Sequence, residues 1–179
     1  KDKRGQIRNR VSIDERPTIV AEKTRIGDWE IDTVIGQNHQ GALVTIVDRV
    51  SKFTLIKKVD SKHAEVVTAA TIILLQPYLD KTLTITADNG KEFAGHETIK
   101  EQLSANVYFA HPYCSWERGL NENTNGLIRQ YFTKGSSFEN ITDDEVEAVM
   151  NKLNHRPRKT LKFKTPHTVF FADTWQEAA

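Results

Sequence analysis

The chain has 179 residues, a length that fits one domain with a sizeable buried core. Charged residues make up 27%, hydrophobic residues 38% and the formal net charge is +1, which is typical of a globular protein and excludes a disordered or fibrous one. No apolar run approaches the roughly 18 residues of a membrane span, so no membrane partner is expected. The single cysteine, Cys114, excludes an internal disulfide and favours a reducing compartment. Because the first residue is Lys1 and no signal peptide precedes the charged start, we expect a fragment of a longer protein.

The charge is unevenly distributed. Residues 1–25 hold eight Lys or Arg against four Asp or Glu, and residues 149–172 hold six Lys or Arg and no acid. Solvated charge on tails and loops is the simpler explanation of this pattern. A polyanionic partner is the alternative.

The order of predicted elements indicates one α/β domain. Residues 1–25 lack a sustained period and contain Pro17, which predicts a basic linker or arm. Three strands in close succession predict an antiparallel meander, and the alternating elements beyond it predict a mixed sheet with helices on its faces. The predicted strands are 29–35, 42–47, 53–59, 82–87 and 107–110, and the predicted helices are 62–76, 96–103, 118–132 and 142–154. We expect a core at 26–172 and a C-terminal tail at 173–179.

Three acids in these elements are candidates for chemistry, although each has an ordinary explanation. Asp32 lies inside a strand, where Asp is disfavoured, but it fits the solvated face of an edge strand. Asp88 ends a strand in Asp-Asn-Gly, a strong turn former. Glu122 shares a helix face with Asn125 and Arg129, opposite the apolar side, as a surface glutamate would.

Together these acids suggest a metal site. Carboxylates at one end of a sheet attract hard divalent cations such as Mg²⁺, and two such ions activate the attacking oxygen and stabilise the leaving oxygen in phosphoryl transfer. The sequence contains no phosphate-binding loop of the nucleotide triphosphatases, which argues against that class of enzyme. A thiol nucleophile at Cys114 with His111 lacks a recognisable orienting partner, and the six histidines show no zinc-site spacing.

Four motifs in order resemble the catalytic core of DDE transposases, and most closely the IS-thirty family of bacterial insertion sequences within the retroviral-integrase-like group. The resemblance covers roughly residues 26–170, and 33 residues separate Asp88 from Glu122. The motifs are Gly27–Asp32 (GDWEID), Thr86–Phe93 (TADNGKEF), Arg118–Gly126 (RGLNENTNG) and Leu153–Pro157 (LNHRP) followed by Thr165 and Pro166.

This resemblance implies a ribonuclease H-like fold, a five-stranded mixed sheet in which an antiparallel meander is followed by parallel strands, with helices on both faces. It implies that Asp32, Asp88 and Glu122 bind two Mg²⁺ or Mn²⁺ ions. Asp32 is preferred over Asp28 and Glu30 because it occupies the family's position, and Asp48 is expected to be a structural acid.

The resemblance further implies an enzyme that frees 3′-hydroxyls at transposon ends and transfers them to target DNA. It also implies a homo-oligomer on paired DNA ends that works in the bacterial cytoplasm at the nucleoid. The upstream helix-turn-helix region of family members does not fit into residues 1–25. The alternatives are a nuclease of the same fold that does not join strands, and a catalytically inert DNA-binding or oligomerisation module. The residues expected to contact DNA are Lys91, Asn121, Asn125, Arg129, Arg156, Arg158 and Lys159.

Overall fold

A five-stranded mixed sheet forms the centre of the computed structural model, which describes residues 6–172. The strand order is β3-β2-β1-β4-β5. Neighbouring strands among the first three pair antiparallel, β4 pairs parallel to β1, and β5 pairs parallel to β4. The predicted meander followed by parallel strands is confirmed. The strands are β1 (Asp28–Ile35), β2 (Ala42–Asp48), β3 (Thr54–Val59), β4 (Thr84–Ala87) and β5 (Asn106–Phe109).

The longer helices lie where their apolar spacing predicts them. The expected capping box is present, with the Thr142 side chain accepting from the backbone of Glu145 and the Glu145 side chain accepting from that of Thr142. Two five-residue helices were not predicted, because one turn is too short to show a period. The helices are α1 (Thr18–Glu22), α2 (Ala64–Leu75), α3 (His96–Leu103), α4 (Gly119–Ile128), α5 (Asp143–Asn154) and α6 (Pro166–Phe170).

The two faces of the sheet carry separate hydrophobic clusters, so the expected helices on both faces are confirmed. Trp29 and Ile31 of β1 belong to a cluster that includes residues of α2, α3 and α6. Val34 belongs to a second cluster that includes residues of α4 and α5. Because side chains alternate along a strand, Glu30 and Asp32 lie on the same face as Val34. That face is covered by α4 and α5.

The basic arm is packed along the sheet over its described part. The backbone oxygen of Val11 accepts from the Phe109 amide of β5, and Ser12 forms a parallel bridge with Phe109. Ile7 and Val20 are buried. The division into arm, core and tail stays a prediction, since residues 1–5 and the expected tail at 173–179 lie outside the described residues. None of the helices within 6–172 is long and apolar enough to cross a bilayer.

Candidate active site

Two of the candidate acids come from neighbouring parallel strands. The register of β1 and β4 pairs Asp28 with Thr84 and Glu30 with Thr86. Continued by two residues, this register sets Asp32 beside Asp88, which immediately follows β4. The backbones of paired strands are about 4.8 Å apart, so both carboxylates start from adjacent positions. Asp32 therefore lies on a central strand, which excludes the solvated face of an edge strand.

The guanidinium of Arg118 lies between these carboxylates. Its Nη1 atom is 3.6 Å from Oδ2 of Asp32, and its Nη2 atom donates to Oδ2 of Asp88 at 3.3 Å. Burial raises the pKa of Asp32, and the nearby Asp88 charge raises it further, while Arg118 opposes both effects. The Arg118 side chain is 13% exposed, and its Nε and Nη1 atoms have no hydrogen-bond partner among the described residues.

Backbone and side-chain donors fix the orientation of both carboxylates. The Thr33 amide donates to Oδ1 of Asp32 at 2.8 Å, and the Asn125 side-chain amide donates to Oδ2 at 2.9 Å. The Gly90 amide donates to Oδ1 of Asp88 at 2.7 Å. Because each carboxylate is held by at least one short hydrogen bond, its oxygens point in fixed directions.

Two asparagines place helix α4 across β1. The Asn121 side chain donates to the backbone oxygen of Ile31 at 3.1 Å, and its backbone amide donates to Oε2 of Glu30 at 3.2 Å. One turn later, Asn125 reaches Asp32. The buried side of this helix is therefore partly polar. The spacing of the predicted helix 118–132 also puts Tyr131 on the apolar side, and this prediction is wrong, because α4 ends at Ile128 and Tyr131 is 39% exposed.

Glu122 lies on the same helix, one turn before Asn125, and is exposed. Side chains three residues apart on a helix are neighbours, so Glu122 is close to the asparagine that holds Asp32. Within residues 6–172, however, ligand oxygens of Asp32, Asp88 and Glu122 do not all lie within 4.8 Å of one another. The structure thus pairs Asp32 with Asp88 and sets Glu122 on the adjoining helix. Its membership of a metal-binding triad stays a prediction.

The neighbouring acids have other partners. Asp28 accepts from Arg25 and from the Thr84 hydroxyl, and Glu30 is paired with Arg49. Asp48 is fully buried and accepts from the backbone amide of Gly27, which precedes β1, and from the amides of Val50 and Ser51 in the turn after β2. Burial raises the pKa of Glu30 and Asp48. These contacts assign structural roles to Asp28, Glu30 and Asp48. Asp32 is therefore the remaining candidate for a metal ligand in β1.

The residues expected to contact DNA lie in different environments. Asn121 is 1% exposed, which places it in the contact between helix and sheet rather than on the surface. Arg129 donates to the Ile35 backbone oxygen at 2.8 Å and is half-buried. The exposed members of the set are Lys91, Arg156 and Lys159, and the partly buried members are Asn125 and Arg158.

A second group of possible ligand atoms lies beside Asp88. Ligand atoms of His111, Cys114 and Glu117 are within 4.8 Å of one another. The sequence did not reveal an orienting partner for His111, but the structure supplies two: Glu117 bonds Nδ1 at 2.7 Å and Asp14 bonds Nε2 at 3.0 Å. Both ring nitrogens are therefore engaged. The contact between Asp14 of the N-terminal arm and His111 could not be predicted from local spacing, because the two residues are 97 positions apart in the sequence.

Comparison with known proteins gives close relatives among transposases. The chain is 52% identical over 167 residues to the transposase of insertion sequence element IS4351 from Bacteroides fragilis, covering 93% of this chain and 51% of the relative. It is 40% identical over 174 residues to transposase InsI of element IS30A from Escherichia coli (strain K12), covering 94% of this chain and 45% of the relative. The chain spans about half the length of the curated relatives it matches. No protein-family model matches it.

Solved structures with a similar fold are integrase catalytic cores. The catalytic core domain of BIV integrase superposes with a TM-score of 0.63 at 18% identity, covering 82% of this chain and 94% of that one. The HTLV-2 integrase catalytic core domain, solved in complex with magnesium, gives a TM-score of 0.63 at 19% identity, covering 80% and 95%. The ribonuclease H-like fold implied by the motifs is confirmed. The resemblance to insertion-sequence transposases is confirmed as well.

Proposed function

We propose, from this homology to insertion-sequence transposases, that the chain is the catalytic domain of a DNA transposase. Its reaction is cleavage of DNA at the ends of a mobile element, followed by transfer of the freed 3′-hydroxyls to target DNA. The observation that carries the proposal is the position of Asp32 in β1 near Asp88, which directly follows the adjacent parallel strand β4, with Arg118 in contact with both. Two oriented carboxylates beside a helix that carries Glu122 supply several oxygen ligands at one place.

The proposed metal ligands are Asp32, Asp88 and Glu122. Carboxylate oxygens are the donors that Mg²⁺ and Mn²⁺ prefer, so the chemistry of the donor set fits these ions. The position of the Arg118 guanidinium supports the assignment, since it marks the space between Asp32 and Asp88 as favourable for positive charge. When bound, a pair of such ions supplies Lewis-acid activation of the attacking oxygen and stabilisation of the leaving oxygen.

The protein's own contribution is orientation. Thr33 and Asn125 hold the two oxygens of Asp32, and Gly90 holds Asp88, so these two ligands are oriented before a metal binds. In the cleavage step water adds to a phosphodiester, the bond to the 3′ oxygen breaks, and a 3′-hydroxyl and a 5′-phosphate result. In the joining step that hydroxyl attacks a target phosphodiester and displaces the target's own 3′ oxygen. Neither step requires a covalent bond to the protein.

The partners follow from this reaction. We propose that Lys91, Arg156, Arg158 and Lys159 contact DNA mainly through phosphates, which predicts strong salt dependence. We further propose that the active form is a homo-oligomer on paired DNA ends and that it works in the bacterial cytoplasm at the nucleoid.

The test uses the full-length protein that carries this chain, with labelled duplexes ending in the inverted repeat of its element and Mg²⁺ or Mn²⁺. Asp32→Asn, Asp88→Asn and Glu122→Gln should abolish both cleaved and joined products while circular dichroism stays unchanged. The exposed Asp80→Asn and Glu147→Gln variants are matched controls. Cleavage without joining would favour the nuclease alternative. Full strand transfer by Asp88→Asn would refute the proposed site.

A further inference from the structure

A basic cavity of about 380 Å³ lies on the other side of helix α4 from Glu122. Its walls come from five separate parts of the chain: Lys23 after α1, Glu30 of β1, Arg49 and Lys52 in the turn between β2 and β3, the segment from Trp116 to Thr124 that includes the start of α4, and the segment with Arg158 and Thr160. Four cationic side chains from three of these parts thus surround one space. The cavity is distinct from the pair of acids described above.

The acids in the cavity wall neutralise only one of these four cations, Arg49. Glu30 is engaged by Arg49, and Glu117 is engaged by His111. Within residues 6–172, no carboxylate pairs with the remaining three cations, Lys23, Lys52 and Arg158. The space therefore has an excess of positive charge.

Burial disfavours the charged forms of two of these cations. Burial lowers the pKa of Lys52, and the Lys23 charge lowers it further. Burial also lowers the pKa of Arg158, whose buried Nε atom has no hydrogen-bond partner among the described residues. The Lys52 amine is held in place by the Arg49 backbone oxygen at 3.1 Å, and one Arg158 nitrogen by the Leu153 backbone oxygen at 3.0 Å. An anion between them would relieve the repulsion and supply the missing acceptor.

The cavity also lies next to the proposed catalytic acids. Glu30 in its wall precedes Asp32 by two residues on the same face of β1, a separation of about 7 Å along a strand. Helix α4 spans both positions, since Asn121 contacts Glu30 and Asn125 contacts Asp32. A chain of phosphates that reaches the acids can therefore also reach the cavity.

We propose that this cavity, formed by Lys23, Arg49, Lys52 and Arg158, is a phosphate site that holds one backbone phosphodiester of the bound DNA and so fixes the strand relative to Asp32 and Asp88. The identity of the ligand as DNA rests on the proposed function. Phosphate contacts of this kind position a duplex without reading its sequence. Of the four residues, only Arg158 belongs to the set expected from the sequence.

The test measures DNA binding by the chain without divalent ions, in EDTA, so that it does not depend on the metal ligands. Fluorescence anisotropy with a labelled duplex at a series of salt concentrations compares the wild type with a Lys23→Gln/Lys52→Gln variant. The Lys100→Gln/Lys134→Gln variant, with two exposed lysines changed elsewhere, is the matched control. Thermal unfolding verifies that all three proteins are folded.

We expect the Lys23→Gln/Lys52→Gln variant to lose about tenfold in affinity at low salt, and the slope of log affinity against log salt to fall by about 1 to 2. Equal affinities for this variant and the control pair would overturn the inference. If the wild type bound inorganic phosphate, as measured by isothermal titration calorimetry, but bound no DNA, the inference would also be overturned, because the site would then serve a free anion. Failure of the proposed function is seen separately, as absence of metal-dependent cleavage by a wild type that still binds DNA through the cavity.

Discussion

The Nη1 atom of Arg118 lies 3.6 Å from Oδ2 of Asp32. The same guanidinium contacts Asp88, so one cation partly neutralises two carboxylates that we propose as metal ligands. A divalent ion bound to both acids would compete with Arg118 for the same negative charge. In the metal-free protein this arginine reduces the repulsion between the acids, and it must release them when metal binds.

Replacing this arginine should therefore tighten metal binding. We expect Arg118→Ala to raise Mn²⁺ affinity about tenfold, which corresponds to about 1.4 kcal/mol, as measured by isothermal titration calorimetry. Arg129→Ala is the matched control, because its guanidinium donates to the Ile35 backbone oxygen and not to an acid of the site. Unchanged or weaker Mn²⁺ binding by Arg118→Ala would show that the arginine does not compete with metal.

The contact between Asn125 and Asp32 predicts that replacing Asn125 weakens metal binding. Loss of the donor at 2.9 Å frees one oxygen of Asp32 to rotate. Partners that orient metal ligands are typically worth a factor of about 10 to 100 in metal affinity. We expect Asn125→Ala to weaken Mn²⁺ binding by a factor in this range, while Asn123→Ala, an exposed position on the same helix, leaves it unchanged. Equal Mn²⁺ affinities for these two variants would contradict the orienting role.

The ion-paired group around His111 predicts a pH-dependent stability. Hydrogen bonds that His111 donates to Glu117 and Asp14 raise the pKa of His111 above its ordinary value of 6.5. The folded state therefore binds the imidazole proton more tightly than the unfolded state does. The resulting stability is fully present below about pH 6.5 and is lost as the pH rises through the raised pKa.

Urea unfolding at pH values from about 5.5 to 9 measures this effect. The free-energy difference between the wild type and His111→Gln should be largest near pH 5.5 to 6.5 and should shrink at higher pH. At acid pH, the hydrogen bond from His111 lowers the pKa of Asp14. The contribution of Asp14 to the free energy of unfolding is therefore lost as the pH falls below the ordinary value of 3.8. A difference that is independent of pH between 5.5 and 9 would refute the charged state of His111.

Asn154 completes the edge of the sheet. Its side-chain oxygen accepts from the Thr54 amide at 2.8 Å, and its side-chain amide donates to the Thr54 backbone oxygen at 2.8 Å. Both residues are buried, and β3 is an edge strand. Asn154→Ala leaves two buried backbone groups unpaired and should lower the free energy of unfolding by about 2–4 kcal/mol. Denaturant unfolding measures the loss, and the exposed Asn151→Ala should stay within about 0.5 kcal/mol of the wild type.

Local sequence patterns were sufficient to predict features that lie within a single helix or strand. The helix at 96–103 and the capping box of Thr142 and Glu145 follow from spacing within a few residues. The buried side of α4 did not follow, because Asn121 and Thr124 face the sheet although both are polar. The Asn121 side chain donates a hydrogen bond to the buried backbone oxygen of Ile31. The need for this donor arises from strand β1, so the spacing of residues within the helix could not predict it.

The sequence alone determined the strands of the meander, the sheet class and the three candidate acids in their order, because side-chain period and turn residues are local properties. Only the tertiary structure decided that β1 pairs with β4, that Arg118 lies between Asp32 and Asp88, and that four cations from three segments surround one cavity. The strand pairing and the two Arg118 contacts join residues 30 or more positions apart. They depend on how buried faces pack, and the spacing within a single element carries no information about that packing.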